Sequence, residues 1–216
     1  MLTIPRIVFE ASFVVVIVAG VVGLLRFRHL QPPLHYLLAL VLFTAGVEVV
    51  SRIRSAHYQS NLFLLPLDTL VEFGLLALTF RRVLAPAAIS RWLPRIIVVF
   101  AAASLISYAD PTRLFRFNTL QRFIESLLLI MLALIYFHKL IRELVVVQLE
   151  RDPFFWISVG LLIYFSGNLF VFVSGNYIIQ HSNTVSLQLW GIHAVLYMVL
   201  YGLYAWALWV RPSTKR

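Results

Sequence analysis

The chain has 216 residues, 61% of them hydrophobic and 12% charged, with a mean hydropathy of +0.90. A soluble domain carries roughly 25% charged residues, so this composition cannot supply a water-exposed surface and the solvent must be lipid. A net charge of +9 would suggest nucleic acid in a soluble protein. Here the basic residues lie in short connections between apolar runs, with no arginine stripe interleaved with aromatics, so nucleic acid is excluded and membrane lipids with anionic head groups are the expected partners. There are no cysteines, which removes disulfides, thiolate metal sites and thiol nucleophiles together.

Seven apolar runs follow one another: about Ile7–Leu25, Leu34–Ile53, Leu62–Val83, Trp92–Tyr108, Leu120–Ile141, Phe154–Val173 and Leu187–Val210. Each is long enough for a hydrocarbon core of roughly 30 Å at about 1.5 Å per residue, the fourth only just. Pro32 and Pro33, Pro86, Asp110-Pro111 and Asp152-Pro153 separate them, while Pro66 sits in the first turns of the third run, where proline does little harm. The first run is long for a secretory leader and has no small-residue cleavage site after it, so it reads as a membrane helix. The expected fold is all-α: one domain, residues 1–216, a polytopic seven-transmembrane-helix bundle.

Lysine and arginine set the orientation. One side collects Arg6, Arg52, Arg54, Arg113, Arg116 and Arg122, and the other collects the remaining 12 of the 18 basic residues. The richer side is expected to be cytoplasmic, which puts the N-terminus outside and the C-terminus inside the inner (plasma) membrane of a cell.

Charges within a bilayer need a reason. Of nine acidic residues, five fall within the expected helices: Glu10, Glu48, Asp68, Glu72 and Glu125. Asn168 and His193 join them. Counted from the outer end of each run at about 1.5 Å per residue, Glu10, Glu48, Asp68, Glu125, Asn168 and His193 lie ~5–9 Å deep and Glu72 ~15 Å deep. Facing lipid would cost roughly 2.5–3.5 kcal/mol per charge, so Glu48, Glu72, Glu125, Asn168 and His193 are expected to converge on one cavity in the outer half. Same-face spacing adds neighbours: Asp68 four residues before Glu72, Arg122 three before Glu125, and a stripe of Trp190, His193, Tyr197, Tyr201 and Tyr204. The expected ligand-binding set is therefore Glu48, Asp68, Glu72, Arg122, Glu125, Asn168, Trp190, His193 and Tyr197.

The chain also permits a parallel repeat of three, one and three helices. Pro33 and Pro153 each open a helix, and 15 residues later stand Glu48 and Asn168. Such symmetry and helix count are shared with SWEET-like sugar transporters and, more distantly, opsins. A retinal protein is excluded, because Lys139 lies at a helix end and Lys215 in the tail. No zinc-protease, nucleophile-elbow or phosphate-loop pattern occurs, no ligand pair including a histidine has metal-site spacing, and no cofactor is implied. Glu72, near the midplane, is suited to carrying a proton.

Three stretches, Leu65–Leu78, Pro153–Phe172 and Leu189–Trp209, resemble small seven-helix bacterial membrane proteins of uncharacterised function, similar to the membrane domains of some sensor histidine kinases. The resemblance matches Glu72, Asn168 and His193, and implies signalling with the output carried by a separate cytoplasmic or membrane partner. The leading expectation is thus a receptor or sensor whose outward polar cavity takes a small molecule or lipid head group. A small-solute transporter with proton coupling and an intramembrane lipid-modifying enzyme are the alternatives.

Overall fold

The computed structural model describes residues 3–85, 88–109, 119–143, 149–181 and 183–210. Among them stand seven α-helices and no strand: α1 Thr3–Leu25, α2 Leu34–Ala56, α3 Leu64–Val83, α4 Ala88–Ala109, α5 Thr119–Glu143, α6 Pro153–His181 and α7 Asn183–Trp209. The fold is all-helical as the apolar runs require. Pro86, the connection carrying Asp110, Arg113 and Arg116, and the tail with Arg211, Lys215 and Arg216 lie outside the described residues.

Local chemistry explains the ends. Pro33 caps the start of α2, and α2 stops where Tyr58 takes a left-handed φ of 55°. The Lys139 ammonium donates to the Val83 and Ala85 carbonyls, satisfying groups that the end of α3 leaves open. Asp152 opens α6: its carboxylate accepts the Phe154 N–H at 2.9 Å, Pro153 fills the first helical position, and the Tyr136 hydroxyl from α5 binds the other carboxylate oxygen. Helices α6 and α7 reach further than their apolar runs, to 29 and 27 residues, because polar residues such as Asn176 and Gln180 continue a helix as readily as apolar ones. Pro94 lies inside α4, whose observed span begins four residues before the expected Trp92.

Among the described residues four helices are long and apolar enough to cross a membrane: Ile7–Leu25, Leu34–Ala56, Thr119–Arg142 and Leu187–Trp209, with Pro153–Leu169 a shorter apolar stretch. Large apolar side chains stand exposed along them, among them Val18, Leu24, Leu42, Leu134 and Val195. An aqueous protein would not leave so much apolar surface bare, so this is a helical membrane protein.

Helix contacts run α1–α2–α3–α5–α6–α7 and back to α1, a closed ring of six, with α4 packed on α3. The ring has two unlike ends. The end holding the start of α1, α3, α5 and α7 opens into a cavity and is called the cavity end below. Towards the far end the interior is closed and mainly apolar, with Leu37, Val41, Leu76, Phe80, Leu132 and Leu161 all at or below 2% exposure and Thr79 and Ser158 buried among them. Leucine side chains pack directly onto the neighbouring helix backbone where glycine leaves room. A Cβ at Gly23 would stand 2.4 Å from Leu38 Cδ1, and one at Gly167 would stand 2.7 Å from Leu196 Cδ1.

Candidate functional site

The cavity holds about 350 Å³ and is lined from six helices. Its floor and one wall are ionic. Asp68 and Glu72 lie one turn apart on α3, and Arg122 and Glu125 lie one turn apart on α5, so packing α3 on α5 brings all four together. The Arg122 guanidinium donates through Nη2 to Asp68 at 2.7 Å and through Nη1 to Glu72 at 2.8 Å and Glu125 at 3.0 Å. Three carboxylates thus share one cation. The cluster grows more buried inwards: the side chains of Asp68, Glu72 and Glu125 are 19%, 7% and 0% exposed. Such charges are tolerable away from water only when paired and hydrogen-bonded.

The scaffold around Arg122 is itself tied down. Ser126 donates to the Arg122 carbonyl at 2.6 Å. Gln121, one residue earlier, donates to the Pro66 carbonyl on α3 and the Ser104 hydroxyl on α4. These bonds fix the height of α5 against α3, which decides where the guanidinium sits.

A second ionic group guards the rim. Arg52 pairs with Glu10 at 2.6 Å, donates to the Phe9 carbonyl at 3.0 Å and stacks over Phe13, while Glu48, one turn earlier on α2, lies 3.9 Å from it. Glu48 lines the cavity. Among the described residues, five carboxyl groups face two guanidinia around these two groups, in a chain whose net charge is +9.

The opposite wall is aromatic. Trp190, His193 and Tyr197 from α7 and Tyr164 from α6 line it, with ring centroids 5.3 Å apart for Trp190–His193 and 5.7 Å for Tyr164–His193. Asn168 sets the histidine. Its amide donates to the Tyr164 carbonyl at 2.9 Å, which turns its oxygen towards His193 Nδ1 at 3.0 Å. A proton held on Nδ1 by that oxygen leaves the lone pair of a singly protonated ring on Nε2. Below, Tyr201 donates to Thr44 at 2.9 Å and stacks on Tyr197.

Of the nine residues singled out from the sequence, Glu48, Asp68, Glu72, Arg122, Trp190, His193 and Tyr197 line the cavity. Glu125 and Asn168 do not; each is 0% exposed and stands behind the wall, Glu125 holding Arg122 and Asn168 holding His193. Depth alone cannot separate a lining group from one supporting it. Ser12, Thr44, Ser51, Asn61 and Leu65 also line the space. Thr44 and Ser51 lie four before and three after Glu48, so the same-face rule finds them; Asn61 sits in a turn, where no periodicity marks it. Among the described residues no group of three or more histidine, aspartate or glutamate side chains is arranged to hold a metal. The guanidinium occupies the place where three carboxylates meet.

The arrangement can do two things: attract a cation through its surplus of carboxylates, and cover an apolar or cationic group with aromatic faces. No protein-family model, no curated protein and no solved structure matches the chain.

Proposed function

We propose that this chain is a multi-pass membrane receptor whose outward cavity binds a small organic cation, the ammonium group of either a free amine or a lipid head group. One observation carries the reading: Glu48, Asp68 and Glu72 line a space whose one lining cation among the described residues, Arg122, is already shared among three carboxylates, and the facing wall is Trp190, His193, Tyr164 and Tyr197. A carboxylate on one side and aromatic rings on the other are the two elements that recognise an ammonium ion.

In this reading all seven helices span the bilayer. Of the polar groups that lower the hydropathy of α3, Asp68 and Glu72 are turned into the ring and Arg81 and Arg82 stand at its end, and α3 packs between α2 and α5, both apolar enough to cross. The cavity end faces outwards, because the far end carries most of the basic residues, with Arg26 over Trp209 and Arg95 over Trp92 as interfacial anchors. Ligand contacts with α2, α3 and α7 offer a route for shifting those helices and reporting to a partner at the cytoplasmic side. The packed apolar far half favours a receptor over a carrier, since alternating access requires that half to open. The two triplets α1–α3 and α5–α7 form the ring and α4 stands outside it, the arrangement a repeat of three, one and three helices would take.

The test is thermal unfolding of the detergent-solubilised protein, followed by the fluorescence of its five tryptophans, against primary and quaternary amines, neutral isosteres and carboxylates. Amines at about 100 times their Kd should stabilise by ~2.7 kcal/mol, and Glu48→Gln and Asp68→Asn should each weaken that binding about tenfold. Equal stabilisation by neutral isosteres would overturn the cation reading. Accumulation of a labelled amine in proteoliposomes would replace the receptor by a carrier.

A further inference from the structure

At the far end, α2, α3 and α4 enclose a second concavity of about 380 Å³. Its polar lining is Tyr36 from the start of α2, Arg81 and Arg82 from the last turn of α3, and Ser90 and Arg91 from the first turn of α4. It contrasts chemically with the first cavity. Three guanidinia line one space, and no carboxylate of a described residue lies within ion-pair distance of Arg81, Arg82 or Arg91.

Other arginines are neutralised or laid on rings: Arg122 has three carboxylates, Arg52 has Glu10, and Arg26, Arg54 and Arg95 lie over Trp209, Phe63 and Trp92. Here Arg82 is steered by Tyr36, donating to its hydroxyl at 3.4 Å and lying over its ring at 5.7 Å. Ser90 is 9% exposed and lines the space. Orienting basic residues at a helix end requires only that they reach water; it does not require three of them around one concavity with a buried hydroxyl. Like charges gathered in this way are stabilised by an anion among them, and the planar guanidinium fork fits a phosphate oxygen pair.

We infer that Arg81, Arg82, Arg91, Ser90 and Tyr36 form a phosphate-binding site. The site lies between helices at the level of their ends, where the head group of an anionic phospholipid and a soluble phosphate ester both have access. Its chemistry is independent of the amine reading of the other cavity, and either can fail alone.

The experiment uses the full chain in neutral detergent, with bound species counted by native mass spectrometry and unfolding followed by tryptophan fluorescence. Phosphatidylglycerol, phosphatidylcholine and inorganic pyrophosphate are the probes. Phosphatidylglycerol is expected to bind at least tenfold more tightly than phosphatidylcholine, with that preference lost in the double variant Arg81→Gln/Arg91→Gln and kept in Arg28→Gln, a far-end arginine outside the pocket. Saturable, Arg81- and Arg91-dependent binding of pyrophosphate without lipid preference would keep the site and assign it to a soluble phosphate. If the glutamine variant does not purify, Arg81→Lys/Arg91→Lys keeps the charge but not the fork, and should bind several-fold more weakly. Equal binding of the two lipids with no pyrophosphate binding, unchanged binding in both double variants, or an equal loss in Arg28→Gln would overturn the inference.

Discussion

The same helices behave differently in their two halves. On α2, Thr44 and Glu48 line the cavity while Leu34, Leu37 and Val41 pack in the closed half; on α3, Asp68 and Glu72 give way to Leu76 and Phe80; on α7, Trp190 and His193 give way to Leu200 and Leu208. The closed half joins these helices mainly by apolar packing, with a few hydrogen bonds such as those from Thr79 to the Pro33 carbonyl and from Lys139 to the Val83 carbonyl. The cavity half instead buries four ionisable side chains against one another, an arrangement that well-packed apolar residues would equal or better in stability. Polarity at that level is therefore not required by folding, and this is the strongest physical reason to look there for a ligand.

The contrast is most exposed at Arg122. Replacing it with leucine leaves Asp68, Glu72 and Glu125 without their shared cation, and removing one partner of a buried ion pair costs about 3–5 kcal/mol. A large drop in unfolding temperature in detergent is expected. Adding Asp68→Asn, Glu72→Gln and Glu125→Gln to the same chain should recover most of it. An unchanged unfolding temperature for the single variant would mean that the cluster is not coupled to the fold.

The closed half should respond differently. Leu76→Ala removes a fully buried side chain and is expected to cost about 2 kcal/mol, at the low end of the range for such truncations because lipid provides no hydrophobic transfer term between helices. Amine binding by the protein that remains folded should be unchanged. Loss of binding at constant stability would show that the halves are not separable.

Smaller effects sharpen the border. Tyr201→Phe deletes the hydrogen bond to Thr44 beneath the cavity and should cost about 1 kcal/mol, read in the same unfolding assay. The least effect is expected at the rim. Glu10 is 60% exposed in its pair with Arg52, so Glu10→Gln should shift stability by only about 0–1 kcal/mol. A larger change there would extend the functional cluster to the surface.

Much of the site was legible in the sequence because depth along a membrane helix is linear in residue number. Counting residues puts Glu48, Asp68 and His193 at one level before any contact is known, and same-helix spacing joins Asp68 to Glu72 and Arg122 to Glu125. Counting does not reveal rotation. Glu125 and Asn168 stand at the expected level yet lie behind the wall, each against a lining side chain. Nor does counting pair the groups across helices: contact between α3 and α5 is what gives Glu72 to Arg122.

The sequence by itself therefore determined the solvent, the helical class and the level of the polar layer. These follow from apolar run length, the absence of water to satisfy backbone groups in lipid, and the constant rise of the helix. Tertiary structure decided which helix neighbours which: that α4 leaves the ring, that α3 meets α5, and that one guanidinium serves three carboxylates. Helices that are apolar on nearly every side carry no periodic mark of the face that meets a neighbour. That face is chosen by close packing, as where Gly23 admits Leu38 and Gly167 admits Leu196.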